Sequence, residues 1–374
     1  MTAGSRALRH LGEFSGLAGL AERQRGLFPD AAPGPELAGA AREAIGTLDL
    51  AVRDVRVERE WTAGGVAGQE LSWDVGFGPR THAYLLKPAG VEGRLPGVVT
   101  LHCHANMKWA GKEKIADGPG PPTDEVRRLR EWIYGGRAFA TELAGRGFVV
   151  LAHDVFGWGS RRFAPADMPD RVLEDAGLPD PAAVLAAGRY DEAARHHEHV
   201  LEKYCTVLGT SLAGVVAGED LAAAAYLRSR PDVGEVGCAG LSGGGLRAGL
   251  LGAFDPDIRA VVIASMMTTY RDALDGYVAG HTWMFFPPGL SRLCDWPALA
   301  AARAPRPLLV QYGEHDQLFP AEGMRAADEA ITRRYPGGGY EGVFYDSPHA
   351  FDVPMQEHAF AWLTRHLRAQ DPRG

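Results

Sequence analysis

The chain has 374 residues, and its 39 Lys and Arg against 47 Asp and Glu give a formal net charge of −8. That balance argues against nucleic-acid binding, which needs a basic face for phosphate contacts. With 46% hydrophobic and 23% charged residues, the composition is that of a globular protein with a sizeable core.

No run of 18 or more apolar residues occurs, so no membrane span is expected. The N-terminus, interrupted by Arg9, His10 and Glu13, lacks the apolar stretch of a signal peptide, and a cytoplasmic location is expected. Cys103, Cys205, Cys238 and Cys294 are scattered without C-x-x-C spacing. They suggest neither a zinc site nor a disulfide framework, and they fit a reducing compartment.

Residues 1–50 read as a helical segment, with Leu17 to Leu27 and Ala38 to Ile45 separated by Pro33 and Pro35. Val52 to Trp61, Gln69 to Val75 and Thr81 to Lys87 then alternate apolar and polar residues. That pattern predicts an antiparallel meander with one wet face. From Gly97 onward the apolar runs are continuous: Val98–Leu101, Phe148–Leu151, Val236–Ala239, Ala260–Ile263, Leu308–Gln311 and Val343–Tyr345. Helical stretches separate them (Ala138–Arg146, Ser211–Arg230, Leu246–Phe254, Gly323–Tyr335) and Met355–Arg368 follows the last. Strand–helix alternation of this kind predicts an α/β domain over residues 51–374, with a mostly parallel sheet and helices on both faces. Two connections, at about 156–206 and 267–304, exceed a simple crossover. Both begin at the carboxyl edge of the sheet, where open parallel sheets bind ligands.

The sharpest local signal is Gly240-Leu241-Ser242-Gly243-Gly244, between a strand and a helix. A serine on so tight a turn tolerates only small residues two before and two after it. Ser242 is therefore the candidate nucleophile, and the following helix N-terminus favours developing negative charge. A base and an orienting acid should follow in the order acid, then histidine. Asp316 lies just beyond the strand ending at Tyr312, with Glu314 ranked second; His349 lies beyond the strand ending near Asp346. For the tetrahedral intermediate the expected donors are the backbone N–H of Gly243 and that of His104, with Cys103 as the alternative.

With these residues in view, the chain resembles the α/β-hydrolase superfamily, in its dienelactone-hydrolase and acetyl-xylan-esterase-like branch. The resemblance runs from about Val52 to the C-terminus. It rests on His102-Cys103-His104, Asp154-Val155-Phe156-Gly157-Trp158-Gly159, Gly240 to Gly244, Asp316 and His349. It implies a Ser-His-Asp hydrolase that cleaves esters through an acyl-enzyme. The chain departs from branch members in three respects, at four positions: Ser242 replaces the dienelactone hydrolases' cysteine, Gly243 and Ala350 replace the usual glutamine and glutamate, and Cys103 replaces a glycine. The same triad also serves carbon–carbon bond hydrolysis and acyl transfer, and a non-catalytic binder would have no use for all three residues.

Trp158, His281 and Trp283 are the candidate substrate contacts, on the two long connections. His196-His197-Glu198-His199 reads as an exposed polar helix, since adjacent residues on a helix point about 100° apart and make poor joint ligands. Lys108, Lys112 and Lys114 read as a solvated loop or as an attractor of anionic substrate. No metal or organic cofactor is expected, and the partner is a small-molecule ester.

Overall fold

The computed structural model describes residues 8–186 and 189–368. Residues 1–7 of the expected N-terminal segment, 187–188 of the first long connection and 369–374 lie outside the described residues.

Among the described residues, nine strands form one sheet. They are β1 (Arg53–Ala63), β2 (Val66–Asp74), β3 (Thr81–Pro88), β4 (Leu95–Leu101), β5 (Val149–His153), β6 (Val233–Leu241), β7 (Ile258–Ala264), β8 (Leu308–Gly313) and β9 (Tyr340–Tyr345). Their spatial order is β1-β2-β3-β5-β4-β6-β7-β8-β9. The pairs β1/β2, β2/β3 and β3/β5 are antiparallel, and every later pair is parallel. The continuous apolar runs are continuous because both faces are covered. On β5, Val149 and Leu151 join one core while Val150 and Ala152 join the other. Each such valine or leucine contributes about 1.5–3 kcal/mol on burial.

The meander departs from its expected single wet face. β1 is exposed along almost its whole length on both faces, whereas β2 and β3 are largely buried. The cause is position: β1 is the sheet edge, and only β2 pairs with it. Its alternation of valine with charge guards an open edge rather than covering a core.

Helices α1 (Gly16–Arg25) and α2 (Pro35–Ala44) precede the sheet. Ala41 and the adjoining Ile45 join the main core, whereas α1 buries none of its residues. The N-terminal segment is seated by α3 (Leu212–Ser229), whose preceding Ser211 and Thr210 donate their hydroxyls to the carbonyls of Ile45 at 2.7 Å and Gly46 at 2.6 Å. Gly214 on that helix has no substitute, since a Cβ there would stand 2.2 Å from the Ile45 carbonyl oxygen.

The first long connection, after β5, carries a helix over Tyr190–Val207 and a satellite core that includes Met168, Leu173, Tyr190 and Ala194. The second, after β7, has no core of its own. Tyr270, Phe285 and Trp296 from it merge into the main core. Among the described residues, no single helix is long and apolar enough to cross a membrane.

Candidate active site

β6 ends at Leu241 and the next helix, α4 (Gly243–Phe254), begins two residues later, so Ser242 occupies the whole turn. Its backbone sits at φ 56° and ψ −120°, a conformation that L-residues adopt only under constraint. The constraint comes from its neighbours. A Cβ on Gly240 would lie 2.3 Å from the backbone of Gly244, and one on Gly244 would lie 2.0 Å from the Leu101 carbonyl oxygen. The Ser242 N–H is anchored on the Ala264 carbonyl at 2.9 Å. The two glycines thus let the turn press against β4 while the serine stays at the carboxyl edge.

The loop after β4 comes to the same place. A Cβ on Gly243 would stand 2.9 Å from the backbone nitrogen of His104, so the two expected N–H donors adjoin. Ala105 and Asn106 both take positive φ, at 53° and 49°, which turns the loop back over the helix start.

Asp316 follows β8, and its Oδ2 lies 2.7 Å from His349 Nδ1. Its Oδ1 accepts the N–H groups of Leu318 at 2.8 Å and Phe319 at 3.3 Å, which fixes the carboxylate before histidine binds to it. The Phe319 ring stacks on His349 at 5.9 Å. The loop carrying His349 is held by the Ser265 hydroxyl, which donates to the Ala350 carbonyl at 2.8 Å. Glu314 is exposed and pairs with Arg325 at 3.4 Å, away from this cluster.

Ser242, Gly243, His104 and His349 line one cavity of about 430 Å³. One flank is apolar: Leu246, Met266, Phe285 and Phe319, with His281 packed 4.6 Å from Phe285 and 4.7 Å from Phe319. Burial pushes His281 down to about 4, so the ring is neutral at ordinary pH. The other flank is polar, with Asn106, Arg195, His196, Glu198 and His199. Trp283, 40% exposed, stands at the rim, and its indole N–H donates to His199 Nδ1 at 2.8 Å. Ser242 and His349 share this wall without a hydrogen bond between them, a looseness that ordinarily tightens when substrate binds.

Trp158 does not line the cavity. At 1% exposure it lies behind His104, ring edge to ring face at 5.2 Å. The lysines are not a solvated loop either. Lys108, Lys112 and Lys114 are 3%, 4% and 0% exposed, and none reaches the cavity. Lys112 pairs with the buried Asp154 at 3.0 Å, and Lys114 donates to the carbonyls of Cys103 at 2.8 Å and His104 at 3.1 Å. These cations stiffen the loop from beneath.

Nor is the His196–His199 helix a purely exposed polar one. Tyr190, Ala194, His197, Glu198, Leu201 and Cys205 form its buried face, and Glu198 is 5% exposed. The 3–4 spacing of Ala194, Leu201 and Cys205 marks that face in the sequence, with a charge in its middle. Among the described residues, no group of three His, Cys, Asp or Glu is placed to hold a metal ion.

The family model for the "Alpha/beta hydrolase family" matches residues 115–353, more than half of the chain. This chain belongs to the alpha/beta hydrolase family. A curated relative, the Bacillus subtilis (strain 168) protein YtaP, provisionally named a hydrolase, is 26% identical over 306 residues, covering 80% of this chain and 88% of that one. Among solved structures, a Bacteroides fragilis NCTC 9343 protein provisionally titled an acetyl xylan esterase superposes with a TM-score of 0.66 at 14% identity. It covers 99% of this alpha/beta hydrolase and 93% of itself. The methylesterase BT1017 gives 0.55 at 14% identity; the match covers 88% of this chain but only 63% of that longer one. At these identities the structural likenesses establish the fold alone.

Proposed function

We propose that this alpha/beta hydrolase cleaves carboxylic esters through Ser242, His349 and Asp316, by way of an acyl-enzyme. The Ser242 hydroxyl oxygen attacks the ester carbonyl carbon while His349 Nε2 takes its proton. The carbonyl oxygen becomes an oxyanion held by the N–H groups of Gly243 and His104, at the N-terminus of α4. Collapse breaks the bond to the alcohol, which leaves with the proton from His349. Water then repeats the sequence on the acyl-Ser242 and releases the acid. Asp316 accepts the Nδ1–H of His349, fixing the tautomer and stabilising the imidazolium.

The observation that carries this reading is the 2.7 Å Asp316–His349 contact in the same cavity wall as the strained Ser242. The flank of Phe285, Phe319, Leu246 and Met266 suits a short acyl group, with the alcohol toward the rim at Trp283. The esterase names of structural neighbours agree with ester cleavage and with an acetyl-xylan-esterase-like branch. Four buried free cysteines support a cytoplasmic location.

The test is hydrolysis of p-nitrophenyl acetate, butyrate and octanoate by the protein and its Ser242→Ala variant. Wild-type turnover with a loss of at least about 10⁴-fold in the variant is the expected result. Equal rates would remove Ser242 from the chemistry.

A further inference from the structure

Glu198 is a buried carboxylate that the reaction above does not use, yet all of its contacts except Lys108 line the cavity. His104 Nδ1 accepts the Asn106 N–H at 3.0 Å, so the ring's proton sits on Nε2 and is donated to Glu198 Oε2 at 2.7 Å. The same oxygen lies 2.6 Å from Lys108 Nζ. The other oxygen, Oε1, accepts the Thr282 hydroxyl at 2.6 Å and the Trp283 N–H at 3.1 Å. Three hydrogen-bond donors and the Lys108 ammonium therefore converge on one carboxylate. Two come from the loop after β4 and two from the second long connection, while Glu198 itself stands on the first.

Electrostatics agree with this geometry. Burial opposes the charged form of Glu198, but His104 and Lys108 outweigh it and hold the carboxyl well below its ordinary range. For His104, burial outweighs Glu198 and keeps the ring below its ordinary value, hence neutral. The ring is thus a fixed N–H donor, tied at both nitrogens.

We propose that Glu198 is the positioning residue of the oxyanion site. By clamping the His104 ring it aims the His104 backbone N–H beside Gly243, and it joins both long connections to that donor. This rests on the ester-hydrolase reading. A glutamine cannot replace it, because its NH₂ would face either His104 and Lys108 or Thr282 and Trp283, donors on both sides. His104 could accept from that amide only by moving its proton to Nδ1, where Asn106 already donates.

The experiment compares wild type and Glu198→Gln on p-nitrophenyl acetate, with active sites counted by fluorophosphonate labelling to correct for the folded fraction. A full oxyanion donor is worth about 10²–10³-fold in kcat, so a misaimed one should lower kcat by about 10–100-fold. KM should move by less than about threefold, since the donor acts on the transition state. A kcat per labelled site within threefold of wild type overturns the proposal while leaving the ester-hydrolase reading intact. Absence of wild-type turnover overturns both. Independently of whether the variant folds, ¹⁵N-resolved spectra of the wild type at pH 8, above the ordinary imidazole range, should show His104 as the Nε2–H tautomer. The Nδ1–H tautomer there would refute the clamp.

Discussion

The two flanks of the cavity are built on opposite principles. The apolar flank belongs mostly to the second long connection, whose Phe285 is sandwiched with Trp296 at 5.6 Å and shares the main core. Its shape is held by packing, which is non-directional and fails gradually. The polar flank belongs to the loop after β4 and to the first long connection, and it is held by buried charges. Lys114 is fastened to two backbone carbonyls, and Glu198 to three donors and the Lys108 ammonium. Directional contacts of that kind fix positions closely, and removing one partner strands the others. On the proposed reading, shape for the substrate comes from one side and aim for the transition state from the other.

That contrast can be broken from either side. Phe285→Ala, which empties the apolar flank, should cost about 3–5 kcal/mol of stability by chemical denaturation. The same variant should shift the preferred p-nitrophenyl ester toward longer acyl chains. A stable variant with the wild-type chain-length profile would show that Phe285 shapes neither core nor pocket.

Lys114→Met tests the polar flank through pH. Burial pushes Lys114 down to about 8 from 10.5. Below pH 8 the folded and unfolded states both carry the proton, and the folded state bears the cost of the buried charge. Between about pH 8 and 10.5 only the unfolded state keeps it, so the unfolded state binds more protons and stability rises with pH. The wild type should therefore gain stability relative to Lys114→Met across that window. Parallel stability curves for the two proteins would mean that the lysine is not a buried cation.

Trp283→Ala should have the smallest effect. The side chain is 40% exposed, so the stability change should stay within about 0.5 kcal/mol. With the alcohol placed at the rim as proposed, KM should rise by about 2–5-fold with kcat little changed. A collapse in kcat would place Trp283 nearer the reacting atoms than the rim.

Much of this was legible in the residues. Consecutive apolar runs marked the parallel strands because both faces are buried, and glycine spacing marked the Ser242 turn because nothing larger fits. The Asp316–His349 pair could be anticipated from strand order alone, since each residue sits at a strand's carboxyl end. What escaped the sequence were the partners of buried charge. Lys108, Lys112 and Lys114 resemble any hydrophilic loop until the fold lays β5, the Tyr190–Val207 helix and the β4 loop together. The exposed β1 alternates like a half-buried strand, and only its place at the sheet edge distinguishes it. Trp158 follows a strand end as a substrate contact would, but the turn at Gly157, with φ 88°, leaves it packed behind His104.

The most direct test of the account is intact-mass analysis after treatment with a fluorophosphonate. The wild type should gain one adduct, mapped by peptide sequencing to Ser242, and Ser242→Ala should gain none. An adduct elsewhere, or a wild type that stays unlabelled while folded, would contradict Ser242 as the nucleophile.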